Sequence, residues 1–206
     1  MISQLPVDEQ LDAFREALSR NEILTEVLSR SASLRLPGWY LTAGCLFQTV
    51  WNTVTSRAPG EGIKDYDLFY FDATDLSWEA EDAVIQSAKH VFAGVPAEVE
   101  IRNEARVHLW YEEKFGTPCP AHMSTEDAID SFAATTCCLG VRLLEQPGGR
   151  WRVYAPHGLS DVFNLIVRPN PVLAPRAVYE AKASRWLRQW PELTVLPWPT
   201  AATPPS

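Results

Sequence analysis

The sequence predicts an α+β fold, and three observations carry the prediction. Stretches with apolar residues at helical spacing alternate with short apolar runs of strand length. Pro- and Gly-containing turns separate them. A hairpin pattern and one further helix follow in the C-terminal third.

Taken in order, residues 8 to 30 read as helix, because Leu11, Phe14, Leu18, Ile23, Val27 and Leu28 form an approximate stripe. Arg20-Asn21 is a candidate break within it. Pro37-Gly38 marks a turn, and Trp39 to Ala43 is a short run suited to a buried strand. Gly44 stands at the entry to a second helix, with Leu46, Val50 and Val54 at helical spacing. After the loop Ala58 to Gly62, Ile63 to Phe71 reads as a strand, and Asp72 to Asp75 breaks it. Trp78 to Phe92 is helical with an acidic start, which suits the positive end of the helix dipole. Ala97 to Arg102 is another strand.

Ser124-Thr125-Glu126-Asp127 resembles a capping box and opens a helix. Val141 to Glu145 and Trp151 to Tyr154 form a hairpin around Gln146-Pro147-Gly148-Gly149. A short helix follows from Gly158-Leu159-Ser160-Asp161 to about Ile166, stopped by Pro169 and Pro171. Ala174 to Trp190 is the last helix, and the tail from Pro197 on is expected to be disordered.

The 206-residue chain carries a net charge of −8, with no Lys/Arg-rich run. Such a surface is a poor non-specific binder of long nucleic acid, which needs clustered cations. The apolar runs fall well short of the ~20 residues of a membrane span. Cys45, Cys119, Cys137 and Cys138 match no zinc or disulfide spacing, so reduced and largely buried thiols are expected. The N-terminus lacks the pattern of a secretory signal, so the expected location is cytoplasmic.

Chemistry is concentrated in Ile63-Lys64-Asp65-Tyr66-Asp67-Leu68-Phe69. In a strand, Asp65 and Asp67 point to one face, about 7 Å apart, while Tyr66 and Leu68 point into the core. Paired carboxylates of this kind suit Mg²⁺ (or Mn²⁺), which takes oxygen ligands and usually shares them with substrate phosphates. Two such ions can clamp an in-line displacement at phosphorus. Three companions reinforce the pair. It lies in an otherwise apolar strand. Gly44 lies at a helix entry, where free backbone N–H groups can hold phosphate. Val99-Glu100-Ile101 supplies a third carboxylate from another strand.

The order of these features resembles the DNA-polymerase-β-like nucleotidyltransferase superfamily, and within it a bacterial nucleotidyltransferase family of unassigned substrate. Ala43-Gly44-Cys45, Thr49-Val50-Trp51-Asn52, Ile63 to Asp67, Asp75 to Asp82, Arg102 to Tyr111, Tyr154 to Leu159 and Val167 to Pro171 carry the likeness. It spans roughly residues 39 to 198. The resemblance implies a mixed sheet flanked by helices, with a C-terminal hairpin-and-helix extension. Residues 1–115 would form the core, 116–196 an α+β extension packed on it, and 197–206 a flexible tail.

It also implies roles. Asp65 and Asp67 would be the paired metal ligands. Glu100 would be the third ligand and the base for an attacking hydroxyl, with Glu98 as fallback. Gly44 would approach the triphosphate. Cys45 departs from the superfamily pattern, which places Gly or Ser there, and a thiol is a weak donor. Phosphate binding then rests on backbone N–H groups and a cation such as Lys64 or Arg57.

Asn103 is a candidate for base or ribose contact, or a turn cap. Arg106 is a candidate phosphate ligand, or a partner of nearby acids. His108 reads first as a hydrogen-bonded structural histidine. The acidic run Asp72, Asp75, Glu79, Glu81, Asp82 reads as a solvated face. Lys182 and Arg185 flank the Trp186/Trp190 face of the last helix and read first as surface cations, with contact to a phosphate as the alternative.

The expected activity is metal-dependent transfer of a nucleoside monophosphate from an NTP to a small-molecule or protein hydroxyl. A catalytically weak nucleotide-binding or regulatory module and a metal-dependent phosphohydrolase are the alternatives.

Overall fold

A computed structural model describes residues 2–144 and 151–199. Helices α1 (Val7–Ser19) and α2 (Glu22–Ser33) meet at Asn21, the expected break. Its side chain caps α2 by accepting from the Leu24 N–H at 3.1 Å, and it donates to Thr49 Oγ1 at 2.9 Å. One buried polar residue thus ends one helix, starts the next and fastens both to the third.

The strands and helices of the first half follow the predicted order. They are β1 (Tyr40–Thr42), α3 (Gly44–Val54), β2 (Asp65–Tyr70), α4 (Trp78–Val91) and β3 (Glu98–Asn103). A 3₁₀ segment, Glu104–Leu109, and short α5 (Tyr111–Phe115) come next, neither of them expected from the sequence. Helix α6 (Thr125–Asp130) starts at Ser124, whose Oγ accepts from the Asp127 N–H as a capping box requires. The hairpin strands are β4 (Gly140–Leu143) and β5 (Trp151–Tyr154), and the turn predicted between them lies outside the described residues. So does most of the predicted tail, 200–206.

Helix α7 is Ser160–Phe163, shorter than expected. Leu165 has φ 58°, which ends the helix, and Ile166 turns out to be strand. The two-residue strands β6 (Ile166–Val167) and β7 (Thr194–Val195) pair in parallel on either side of α8 (Arg176–Gln189).

One mixed five-stranded sheet runs in the order β3-β2-β1-β4-β5. Strand β2 is parallel to β3 and antiparallel to β1, and β3 stands at one end of the order as an outer strand. Tyr66, Leu68 and Tyr70 are buried in the main core together with residues of α1, α2 and α3. Trp51 of α3 packs against Trp186 of α8 and Trp190 just after it, with ring centroids 5.9 and 5.4 Å away, and this docks α8 beside the sheet.

Asn52 is fully buried and ties three segments together. Its amide donates to the carbonyls of Pro59 and Glu61 at 3.1 and 2.8 Å, and its oxygen accepts from Trp190 Nε1 at 2.8 Å. No helix among the described residues is long and apolar enough to cross a membrane. Cys45, Cys137 and Cys138 are buried free thiols, and Cys119 is half-buried.

The acidic run is not uniformly solvated. Glu81 is 5% exposed, ion-paired to Arg106, and it accepts from the Asn103 N–H at 2.7 Å. Its partners lie more than twenty residues away in the chain, so a local charge pattern could not show them.

Candidate active site

The alternation predicted for β2 holds. Tyr66 and Leu68 are buried in the core, while Asp65 and Asp67 stand half-buried on the opposite face. The parallel register sets Glu98 beside Asp65 and Glu100 beside Asp67. Asp65, Asp67 and Glu100 all line one cavity of ≈ 270 Å³, with Gly44 in the same wall. Glu98 is exposed and lies outside that wall. Lys182 and Arg185 of α8 also line the cavity, so two cations share it with three carboxylates.

Burial raises the Asp67 carboxyl to about 7; Asp65 and Glu100 push it the same way, against Lys182 and Arg102. A carboxyl held so high by burial and like-charged neighbours is a group that a cation would relieve. Among the described residues no three His, Cys, Asp or Glu side chains form a ready-made metal cage. The donor set nevertheless fits a hard divalent ion. Mg²⁺ is commonly held by one or two carboxylates, with waters and substrate phosphates completing its shell. Asp65 and Asp67 are the residues that would hold it. Glu100 is already engaged by an ion pair with Arg102.

Gly44 opens α3, and the residue before it is strained. Ala43 has φ 57° and ψ −131°, a region that side chains rarely enter. At Gly44 itself an added Cβ would come 3.0 Å from the Gln48 side-chain amide, which would have to give way by a few tenths of an ångström. Ala43→Gly should therefore raise stability by about 1 kcal/mol, or ~2–4 °C in Tm. Thermal melting checks this, and a lower Tm would show that Ala43 sits there without strain.

The other predicted site residues lie elsewhere. The Cys45 thiol is fully buried and donates to the Thr42 carbonyl at 3.4 Å, so it faces the core. Lys64 is 80% exposed, 3.9 Å from Asp65, and lines a smaller neighbouring cavity with Arg185. Arg57 pairs with Glu192 at 3.0 Å. Asn103 is buried as a cap, accepting from the Asp72 and Ala105 N–H groups and donating to the Asp72 carbonyl. Arg106 is held by Glu81 and by the Leu76 carbonyl. The sequence predicts a hydrogen-bonded His108, yet its Nδ1 is buried with no partner among the described residues.

Three residues gain importance from the structure. Lys182 and Arg185, which the sequence presents as surface cations, line the carboxylate cavity. Glu104, not singled out in the sequence, is buried just beyond β3. Burial raises its carboxyl to about 8, with Arg102 opposing and Asp67 and Glu100 reinforcing the shift. The only signal for Lys182 and Arg185 is their place beside the buried Tyr179, Ala183 and Trp186 of α8.

A solved structure described as revealing a CCA-adding enzyme head domain has the same architecture, with a TM-score of 0.72. The two sequences are 23% identical, and the match covers 96% of this chain and 100% of that one. No curated protein sequence matches significantly. The profile of a family described as nucleotidyltransferase matches residues 29–195, and the chain belongs to that family.

Proposed function

We propose that the protein transfers a nucleoside monophosphate from an NTP to a hydroxyl acceptor by metal-dependent in-line displacement. The observation that carries this reading is the convergence of Asp65, Asp67 and Glu100 on one cavity with Lys182 and Arg185. Divalent ions bound at Asp65 and Asp67 would supply charge stabilisation for the phosphates. Glu100 accepts the proton of the attacking hydroxyl. The acceptor oxygen bonds to the α-phosphorus as the bond to the β-phosphate oxygen breaks, and pyrophosphate leaves. Lys182 and Arg185 offset its charge, and backbone N–H groups at Gly44 hold a phosphate oxygen.

On this reading, residues 1–115 provide the carboxylates and the 116–196 segment closes over them with α8. The net charge of −8 favours a small-molecule or protein acceptor over long nucleic acid. The cytoplasm, where NTPs are abundant, is the proposed location.

The test is to incubate the protein with Mg²⁺, each NTP and a panel of hydroxyl compounds, measuring pyrophosphate and searching products by mass. Pyrophosphate with a nucleotidylated acceptor is expected. Free monophosphate or inorganic phosphate without an adduct would identify a phosphohydrolase instead. A weak nucleotide-binding module is the second reading, favoured by the Cys45 thiol facing the core, which leaves no side-chain donor after Gly44. NTP binding by calorimetry without release across all acceptors would establish it.

Lys182→Ala should raise the KM for NTP by about 10-fold or more, the weight of a lost charge-assisted contact. Steady-state kinetics checks this, and an unchanged KM would place the triphosphate away from α8.

A further inference from the structure

Beyond Glu100 the cleft continues into a second cavity of ≈ 220 Å³. Phe69, Phe132, Ala133 and Lys182 line both cavities, so the two lie side by side with α8 along both. The walls of the second are aromatic, with Trp110, Tyr111 and Phe115 among them. Arg102 and Lys114 lie over the Trp110 ring, 5.0 and 5.3 Å from its centroid. Glu104 also lines this cavity. It is 3% exposed, and its Oε1 is buried with no hydrogen-bond partner among the described residues.

A buried orphan acceptor costs about 1–3 kcal/mol, so this carboxyl oxygen is a standing invitation to a donor. We propose that the second cavity holds the nucleobase of the donor NTP, with an N–H of the ring donating to Glu104 Oε1. The proposal rests on the nucleotidyltransfer reading above. Aromatic walls favour a flat ring, since stacking contributes about 1–3 kcal/mol per base. Arg102, Lys114 and Lys182 disfavour a cationic ligand, which leaves a neutral ring with a donor edge. Lys182 stands at the junction of the cavities, where a nucleoside in one joins phosphates in the other.

Two measurements test it. In calorimetry with Mg²⁺, at least one NTP should bind about 10-fold or more tightly than inorganic triphosphate. Glu104→Leu, which removes the acceptor, should weaken that NTP by about 10-fold while leaving triphosphate affinity unchanged. Equal affinity for NTP and triphosphate in the natural protein would overturn the proposal. So would a Glu104→Leu variant whose NTP affinity is unchanged, including one that alters only the acceptor KM.

Free nucleosides then separate this proposal from the reading beneath it. Titrated into ¹⁵N-labelled natural protein without metal, they should shift amides of Glu104 to Phe115 and spare Gly44. Such shifts without pyrophosphate release in the assays above would leave the base pocket standing and remove the transfer reaction. No shifts, or shifts confined to the carboxylate cavity, would remove the base pocket even if transfer proceeds.

Discussion

Asp67→Asn is expected to silence Mg²⁺-dependent NTP turnover by about 10³-fold while making the metal-free protein more stable at pH 8. The two effects have one cause. In the natural protein the Asp67 carboxyl is raised from 3.8 to about 7 by burial and by Asp65 and Glu100. The unfolded chain loses this proton near its ordinary value, whereas the folded chain keeps it until about 7. The native state therefore binds more protons between those limits, and stability falls as pH rises through that window. The contribution is fully present below about 4 and lost by about 7.

Asparagine never ionises and escapes the loss. A carboxyl raised from 3.8 to about 7 bounds the gain at about 4 kcal/mol. Melting curves of both proteins in EDTA should nearly coincide at pH 4 and separate at pH 8, with the variant higher. Adding Mg²⁺ should narrow the gap by stabilising only the natural protein. A variant that turns over NTP at the natural rate would remove Asp67 from the reaction. One that melts lower at pH 8 would show that its carboxylate is stabilised without metal.

Asn52→Ala should cost about 3–5 kcal/mol of folding stability, a large part of the 5–15 kcal/mol typical of a domain. Three groups lose their partner at once: the carbonyls of Pro59 and Glu61, and Nε1 of Trp190. Trp190 is 1% exposed, so water cannot replace the lost acceptor without disturbing the core. Each of these contacts also bears on the cleft. The 58–62 loop leads into β2, which carries Asp65 and Asp67, and Trp190 follows α8, which carries Lys182 and Arg185. Urea unfolding should show a lower midpoint with little change in slope. A loss below about 1 kcal/mol would mean that the loop and α8 hold their places without this residue.

The features legible in the sequence are those with local periodicity. Strand β2 can be read because Tyr66 and Leu68 alternate with Asp65 and Asp67, and the same alternation puts the carboxylates on a common face. Asn21 can be read as a break because its short polar side chain competes for backbone groups. Strands β6 and β7 cannot, since two residues do not display a period. The helix expected to reach Ile166 ends early because Leu165 takes a positive φ that its identity does not announce.

Lys182 and Arg185 are only half legible, with the surface role the first reading, for another reason. Much of α8 is polar, and the buried stripe through Tyr179, Ala183 and Trp186 leaves the adjoining cations looking like ordinary surface. Only the docking of Trp186 and Trp190 on Trp51 reveals that this flank faces carboxylates. Glu104 is obscured because a glutamate in sequence reads as solvated, while its burial depends on elements as distant as α6 and α8.

The position of β3 has a bearing on solubility. An outer strand offers unpaired backbone groups to any second copy of the chain, and natural proteins discourage such joining with charge. Here Glu98, Glu100 and Arg102 recur at every second residue along β3. A second copy laid parallel and in register would set like charges side by side at each of these positions. The glutamate proposed as the reaction's base is therefore also one of three charges along this edge, and replacing it with an apolar residue would remove the base and one of those charges together.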